Sequence, residues 1–228
     1  AVIELPYMYA SKEIAFDVLD GEAGKGMLTR VENQGLVGLG WLELGVRNVT
    51  NNVRPVASPE DLEGIKLRTM KVPAHVATFE TLGANPTPMN FGEVYSALQQ
   101  GVIDGQENPY TNINSAKLNE VQKYLSKTGH VYSPAYPTMG KGVYDSMDAD
   151  IRKVLEDTAR EMSAWARAKG VEADDALRKK LVDAGMEYNE ADRAAFVEAS
   201  KPIYDAFAAE VAGGQAMIDK AISLAGGS

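Results

Sequence analysis

Three side chains in this sequence have the types and positions to bind a small anion: Arg68, Asn108 and Arg47. Arg68 lies near the end of the alternating run Ile65-Lys66-Leu67-Arg68-Thr69-Met70, which predicts a strand just before a helix starting near Pro73. A guanidinium is a planar fork that gives a carboxylate two parallel, charge-assisted hydrogen bonds. In open α/β sheets, ligands gather beyond the carboxyl ends of the strands. The competing reading is an arginine in a surface ion pair, and spacing alone favours it. Asn108, in Asp104-Gly105-Gln106-Glu107-Asn108-Pro109, follows a second expected strand over 102–105, with Pro109 stiffening the next bond. Its amide offers a donor and an acceptor to a ligand, but a turn asparagine explains it as simply. Arg47, after Trp41-Leu42-Glu43-Leu44-Gly45, is a second cation near a strand end or a solvated arginine. Trp41, Phe91 and Tyr7 can pack on a bound molecule or on the core.

Nothing in the sequence assembles a catalyst. It has no Gly-x-Ser-x-Gly elbow, no phosphate-cradling Gly-Lys-Ser/Thr loop and no dinucleotide fingerprint. Cysteine is absent, which removes thiol catalysis, disulfides and thiolate metal sites. His75 and His130 are the only histidines, too few for a multi-histidine metal site, and His130 in a strand reads as packed or hydrogen-bonded. No metal or cofactor is expected.

The elements that must position these residues are those of an α/β protein. Between 36 and 134, short apolar runs alternate with short amphipathic helices. Gly35 to Trp41 reads as a glycine-rich buried strand. Ser58-Pro59-Glu60-Asp61 and Asn90-Phe91-Gly92-Glu93 have capping spacing, and helices are expected from Pro73 to Gly83, up to Gly101, and over 113–125. His130-Val131-Tyr132 returns as a strand. From Asp148 to Ala184 apolar residues recur at Ile151, Leu155, Ala159, Met162 and Ala166, then at Ala173, Leu177 and Leu181, with Trp165 alongside. A continuous helix there runs about 55 Å, more than the roughly 30 Å of a small domain, so it should bridge two lobes, with Gly170 a place to bend. Helices over 191–211 and before Gly226 complete the chain.

A net charge of −9 argues against nucleic acid or an anionic membrane as the main partner. A hydrophobic content of 45% with 24% charged residues is the mix of a soluble globular protein. No apolar run approaches the roughly 18 residues of a membrane span. The opening Ala1-Val2-Ile3-Glu4-Leu5-Pro6 has neither a basic start nor a cleavage pattern and reads as a buried strand met in mid-fold.

Beyond these patterns the chain resembles a known family. Asn51-Asn52-Val53-Arg54-Pro55 through Ser58-Pro59-Glu60-Asp61-Leu62-Glu63-Gly64-Ile65-Lys66-Leu67-Arg68 is similar to the signature of solute-binding proteins of TRAP (tripartite ATP-independent periplasmic) transporters. So are Leu82-Gly83-Ala84-Asn85-Pro86-Thr87-Pro88-Met89 through Gln100-Gly101, Val102-Ile103-Asp104-Gly105-Gln106-Glu107-Asn108-Pro109, and Val121-Gln122-Lys123-Tyr124-Leu125. The resemblance implies a two-lobed periplasmic-binding-protein-like α/β fold with one long helix across both lobes. Lobe I would comprise 1–44 and 134–173, and lobe II 45–133 and 174–228. It implies that Arg68 salt-bridges the ligand carboxylate, that Asn108 bonds the same region, that Arg47 assists and that Phe91 lines the pocket. It also implies a periplasmic, monomeric protein that does no chemistry and hands a small organic acid (a dicarboxylate, sugar acid, keto acid or aromatic acid) to integral membrane subunits of the transporter. A module feeding a sensor, or an enzyme acting on a carboxylated substrate, are the alternatives. Family members carry a further N-terminal segment, so a gap in the first lobe is expected.

Overall fold

The computed structural model describes residues 2–224. Its eight strands are β1 (Leu36–Gly38), β2 (Leu42–Asn51), β3 (Lys66–Thr69), β4 (Asn85–Pro88), β5 (Gly105–Asn108), β6 (Tyr124–Ala135), β7 (Thr138–Gly140) and β8 (Glu187–Glu190). Six form one mixed sheet in the order β4-β3-β5-β2-β6-β8, and β1 pairs with β7 in a separate antiparallel ribbon. The β4-β3-β5 and β6-β8 pairings are parallel, and β2 runs antiparallel to both β5 and β6. Short helices α1 (Lys12–Asp20), α2 (Glu22–Arg30), α3 (Pro73–Thr81), α4 (Val94–Gln99), α5 (Tyr110–Ser115) and α6 (Lys141–Asp145) precede a long α7 (Ala149–Asp183), followed by α8 (Arg193–Glu210) and α9 (Gly214–Leu224). None of the described helices is long and apolar enough to cross a membrane.

The sheet is covered on both faces. On one, Val49 and Leu67 pack with Phe79 of α3 and Phe196 of α8. On the other, Leu125 packs with Leu98 of α4, Ile113 of α5 and Leu181 of α7. Each such side chain contributes about 1.5–3 kcal/mol by leaving water. A third core joins Leu5, Val18, Leu19 and Trp41 to Tyr132, Ile203 and Ile218. Beside it lies an apolar groove of about 600 Å³, lined by Met27, Leu28, Trp41 and Phe207 among others. The long β2 and β6 strands connect this third core to the six-stranded sheet.

Local signals place several elements where the sequence predicts them. The Asp61 carboxylate accepts the backbone N–H groups of Ala57 and Ser58, both at 2.9 Å, and Glu93 accepts that of Asn90 at 3.0 Å. Four expectations differ. Residues 2–4 form a 3-10 turn rather than a strand. Val102-Ile103-Asp104 is a connection, because pairing with β3 and β2 begins only at Gly105. The helix expected over 113–125 is the shorter α5, since Tyr124 and Leu125 are drawn into β6 opposite Asn51 and Thr50. The Gly35–Trp41 strand is shortened to β1, and Gly40, at φ 152, separates it from β2.

α7 is continuous for 35 residues, about 52 Å, with no break at Gly170. Arg167 meets Asp20 at 2.5 Å and the Trp41 carbonyl at 3.3 Å, while Leu181 sits in the core beneath β6. One helix therefore ties the third core to the main sheet. Its buried row is Ala159, Ser163, Arg167 and Leu181, whereas Ile151, Met162 and Trp165 of the expected stripe are exposed. Gly170 allows close approach instead of bending: a Cβ there would lie 2.6 Å from a Glu43 carboxylate oxygen. α9 packs into the third core through Ile218 and Ala221.

Gly105 carries a sharper constraint. A Cβ on it would fall 2.4 Å from the Thr50 carbonyl oxygen and 2.8 Å from the Asn51 Cβ, inside the β2–β5 ladder. The backbone on both sides is fixed by pairing, so the clash cannot relax by a rotamer change. Gly105→Ala is expected to destabilise the protein by about 1–3 kcal/mol, the usual cost of overpacking. Urea unfolding checks this; a midpoint unchanged from wild type would show the strands separate freely there.

Candidate functional site

β3, β5 and β2 are neighbours in the sheet, and they bring Arg68, Asn108 and Arg47 together. Arg68 lies opposite Gln106, and Asn108 opposite Asn48, the residue after Arg47. β3 and β5 are parallel, so Arg68 and Asn108 both lie toward their carboxyl ends, where ligands bind in open sheets. A register irregularity between Arg47 and Val49 falls at the same place; bulges beside sites re-aim side chains. Arg47 is thus mid-strand rather than at a strand end.

Arg68 is only 3% exposed. Its Nε and Nη2 donate to the Met89 carbonyl at 3.1 and 2.8 Å, and its guanidinium carbon lies 5.8 Å from the Phe91 ring centre. No acid lies within ion-pair distance of it among the described residues. Burial lowers its pKa, opposed by the nearby Glu107 charge. The Met89 carbonyl occupies one edge of the guanidinium and leaves the Nη1–Nη2 edge for a second acceptor.

Arg47 is equally buried but neutralised. It holds Glu107 through Nε to Oε2 at 2.5 Å and Nη2 to Oε1 at 2.9 Å, and also donates to the Glu107 carbonyl at 2.7 Å. Its Nη2 reaches the Asn108 Oδ1 at 3.1 Å, and its Nη1 the Ser133 hydroxyl at 3.3 Å. Asn108 Nδ2 donates to Gln106 Oε1 at 2.6 Å, Gln106 Nε2 donates to the Thr50 hydroxyl at 2.9 Å, and that hydroxyl donates to Gln122 Oε1 at 2.7 Å. This buried chain fixes which way the Asn108 amide points.

Glu107 and His130 complete the cluster, and nothing in the spacing of the sequence points to Glu107. His130 Nε2 lies 2.9 Å from Glu107 Oε2, and its Nδ1 2.8 Å from the Thr128 hydroxyl. Burial pushes the imidazole below its ordinary pKa, against the pull of Glu107. A neutral ring donating from Nε2 to the carboxylate and accepting from Thr128 at Nδ1 satisfies both bonds. Burial would raise the Glu107 carboxyl, but Arg47 and the His130 bond outweigh it and hold it well below the carboxylate range. Only the β2–β5 register reveals this acid as the partner of Arg47.

Both shifts have the same sign for stability. A depressed folded-state pKa contributes stability above the unfolded value, and that stability is lost as the pH falls through the folded value. For His130 the loss starts near pH 6.5, and Glu107 adds to it below about 4.5. Melting temperature is expected to hold between pH 8 and 6.5 and to fall on further acidification, with His130→Gln flattening the first part of the fall. A melting point that rises from pH 6.5 to 5 would contradict a neutral buried His130.

Of the remaining residues from the sequence, Trp41 and Tyr7 lie apart from Arg68. Trp41 is in the third core, edge-on to Tyr136 and lining the groove. Tyr7, at φ 58, donates to the Thr128 carbonyl at 3.1 Å and has Arg193 over its ring. Phe91, 40% exposed, does flank Arg68.

This arrangement, a buried unneutralised arginine beside an oriented amide on adjacent strands, suits an anionic ligand. Residues 1–210 match the model of the bacterial extracellular solute-binding protein family 7, DctP. The chain belongs to this family. A solute-binding protein of Verminephrobacter eiseniae is 43% identical over 208 residues, covering 89% of this chain and 61% of that relative. The chain thus spans about three fifths of the length of the curated relative. Among solved structures, a TRAP periplasmic solute-binding protein of Polaromonas bound to D-erythronate is 38% identical with a TM-score of 0.91, over 96% of this chain and 72% of that one. Another, from Chromohalobacter salexigens with bound D-glucuronate, is 32% identical with a TM-score of 0.94, over 98% and 74%. The family 7 fold accounts for the mixed sheet and the long α7.

Proposed function

We propose that this protein captures a small organic acid by its carboxylate, as the extracytoplasmic solute-binding component of a TRAP transporter, and presents it to the integral membrane subunits. It works in the periplasm as a monomer, by binding and without chemistry. Arg68 holds the carboxylate through its free Nη1–Nη2 edge, Asn108 adds an amide donor, Arg47 sets the Asn108 carbonyl, and Phe91 closes one side. The lobes divide where β2 and β6 cross, near residues 44 and 134. The observation that carries this reading is Arg68, a cation 97% removed from solvent with no counter-ion among the described residues. An uncompensated buried charge is costly, and an incoming carboxylate relieves it. The D-erythronate and D-glucuronate complexes of the two structural neighbours support the ligand class.

A thermal-shift screen tests it. Acids of two to eight carbons are expected to include at least one that raises the melting point, since a ligand bound only by the native state stabilises by mass action. Its primary amide should not. Failure of every acid at millimolar concentration would refute the reading.

A further inference from the structure

Asn108 stands near one end of a line of buried side chains that all donate in the same direction. Arg47 Nη2 donates to Asn108 Oδ1 at 3.1 Å, Asn108 Nδ2 to Gln106 Oε1 at 2.6 Å, and Gln106 Nε2 to the Thr50 hydroxyl at 2.9 Å. The Thr50 hydroxyl donates to Gln122 Oε1 at 2.7 Å. Gln122 Nε2 ends the line on two backbone carbonyls, Asp104 at 3.2 Å and Val121 at 3.1 Å. Thr50 and Gln106 are fully buried, and Gln122 nearly so. The sheet builds the line: Gln106 pairs with Thr50 across β2–β5 and with Arg68 across β3–β5. Asn108, two residues on, shares its face of β5.

The two ends fix the sense of every bond between them. A guanidinium only donates and a carbonyl only accepts, whereas each amide carries one group of each kind and a hydroxyl can act as both. Turning one amide over would set donor against donor on one side and acceptor against acceptor on the other. The Asn108 amide is therefore held with its oxygen toward Arg47 and its nitrogen toward Gln106, which leaves one Nδ2 hydrogen unspent. Bonds aligned in a chain polarise one another, so a break at one member is felt at the next. With valine at position 50, Gln106 Nε2 has no acceptor, the Gln106 amide is free to turn, and Asn108 loses the oxygen that holds its nitrogen.

We propose that Gln106, Thr50 and Gln122 are positioning residues for the anion anchor, which act on the bound acid through Asn108 by keeping its unspent N–H available to the carboxylate. This rests on the carboxylate-binding reading above. It makes affinity depend on Gln122, a residue at the start of β6 and outside the anchor itself.

The test is calorimetric titration with whichever of D-erythronate, D-glucuronate and succinate wild type binds most tightly. Thr50→Val should weaken binding about tenfold, within the range of coupling between neighbouring groups. Thr50→Ser, which keeps the hydroxyl, should bind within about threefold of wild type. The deciding comparison is made in an Asn108→Ala background, where Thr50→Val should change affinity by less than about twofold because the line no longer reaches the ligand. In the ligand-free protein, NMR should show the Asn108 side-chain hydrogens exchanging with water faster in Thr50→Val than in wild type. Where Thr50→Val does not fold, Gln122→Met makes the same comparison, since it removes only the acceptor of the Thr50 hydroxyl. Equal weakening with and without the Asn108 side chain would make these residues merely structural and overturn the proposal, as would wild-type affinity in Thr50→Val. Wild type that binds none of the three acids would sink the carboxylate reading, and this proposal with it.

Discussion

Arg68→Lys is expected to weaken binding of the acid ligand by roughly 30- to 5,000-fold while leaving the fold intact. The range corresponds to the about 2–5 kcal/mol lost when one partner of a desolvated charged pair is removed. Lysine keeps the charge but replaces a planar fork with a compact ammonium that cannot offer two parallel N–H groups. It also cannot serve the Met89 carbonyl, at 2.8 Å from Nη2, and a ligand carboxylate in the same plane. Folding should tolerate the change, since Arg68 has no acid to abandon among the described residues and its one protein partner is the Met89 carbonyl. Isothermal titration of wild type and variant with the best acid from the screen measures the effect. Binding within threefold of wild type would remove Arg68 from the anchor.

How far such a site can be read without coordinates depends on whether its geometry is local. The β3–α3 unit, the Ser58–Asp61 and Asn90–Glu93 caps and the long α7 are set by residues three or four apart, and the sequence predicts all of them. Arg68 and Asn108 stand out because each lies near the end of an apolar run. Glu107 does not: in sequence it is one acid among 32 Asp and Glu residues. Its role depends on a β2–β5 register set by partners far apart in the chain. Periodicity misled most on α7, where Met162 and Trp165 fit an apolar stripe but face outward, while Ser163 and Arg167 take the buried row. Arg167 earns that place through Asp20 and the Trp41 carbonyl, neither visible from helical spacing.

Glu107→Gln is expected to cost about 3–5 kcal/mol of stability, the usual penalty for removing one partner of a buried ion pair. Glu107 is fully buried and answers Arg47 at two oxygens and His130 at one. Glutamine keeps one acceptor and removes the charge, stranding the Arg47 guanidinium in a site 3% exposed. The new amide N–H groups would also face donors on Arg47. At roughly 2–4 °C per kcal/mol for a chain of this size, the melting point should fall by about 6–20 °C. The double variant Arg47→Met with Glu107→Leu separates charge from packing. Replacing both partners of a buried pair by apolar groups is often neutral or stabilising, so the double variant should recover much of the lost melting temperature. It should not recover ligand binding, because the Asn108 carbonyl loses its 3.1 Å bond to Arg47 and the amide is no longer held. A Glu107→Gln protein that melts within 2 °C of wild type would mean that water or a rearranged side chain compensates Arg47. The buried pair would then not be what holds β2 and β5 in register around the anchor.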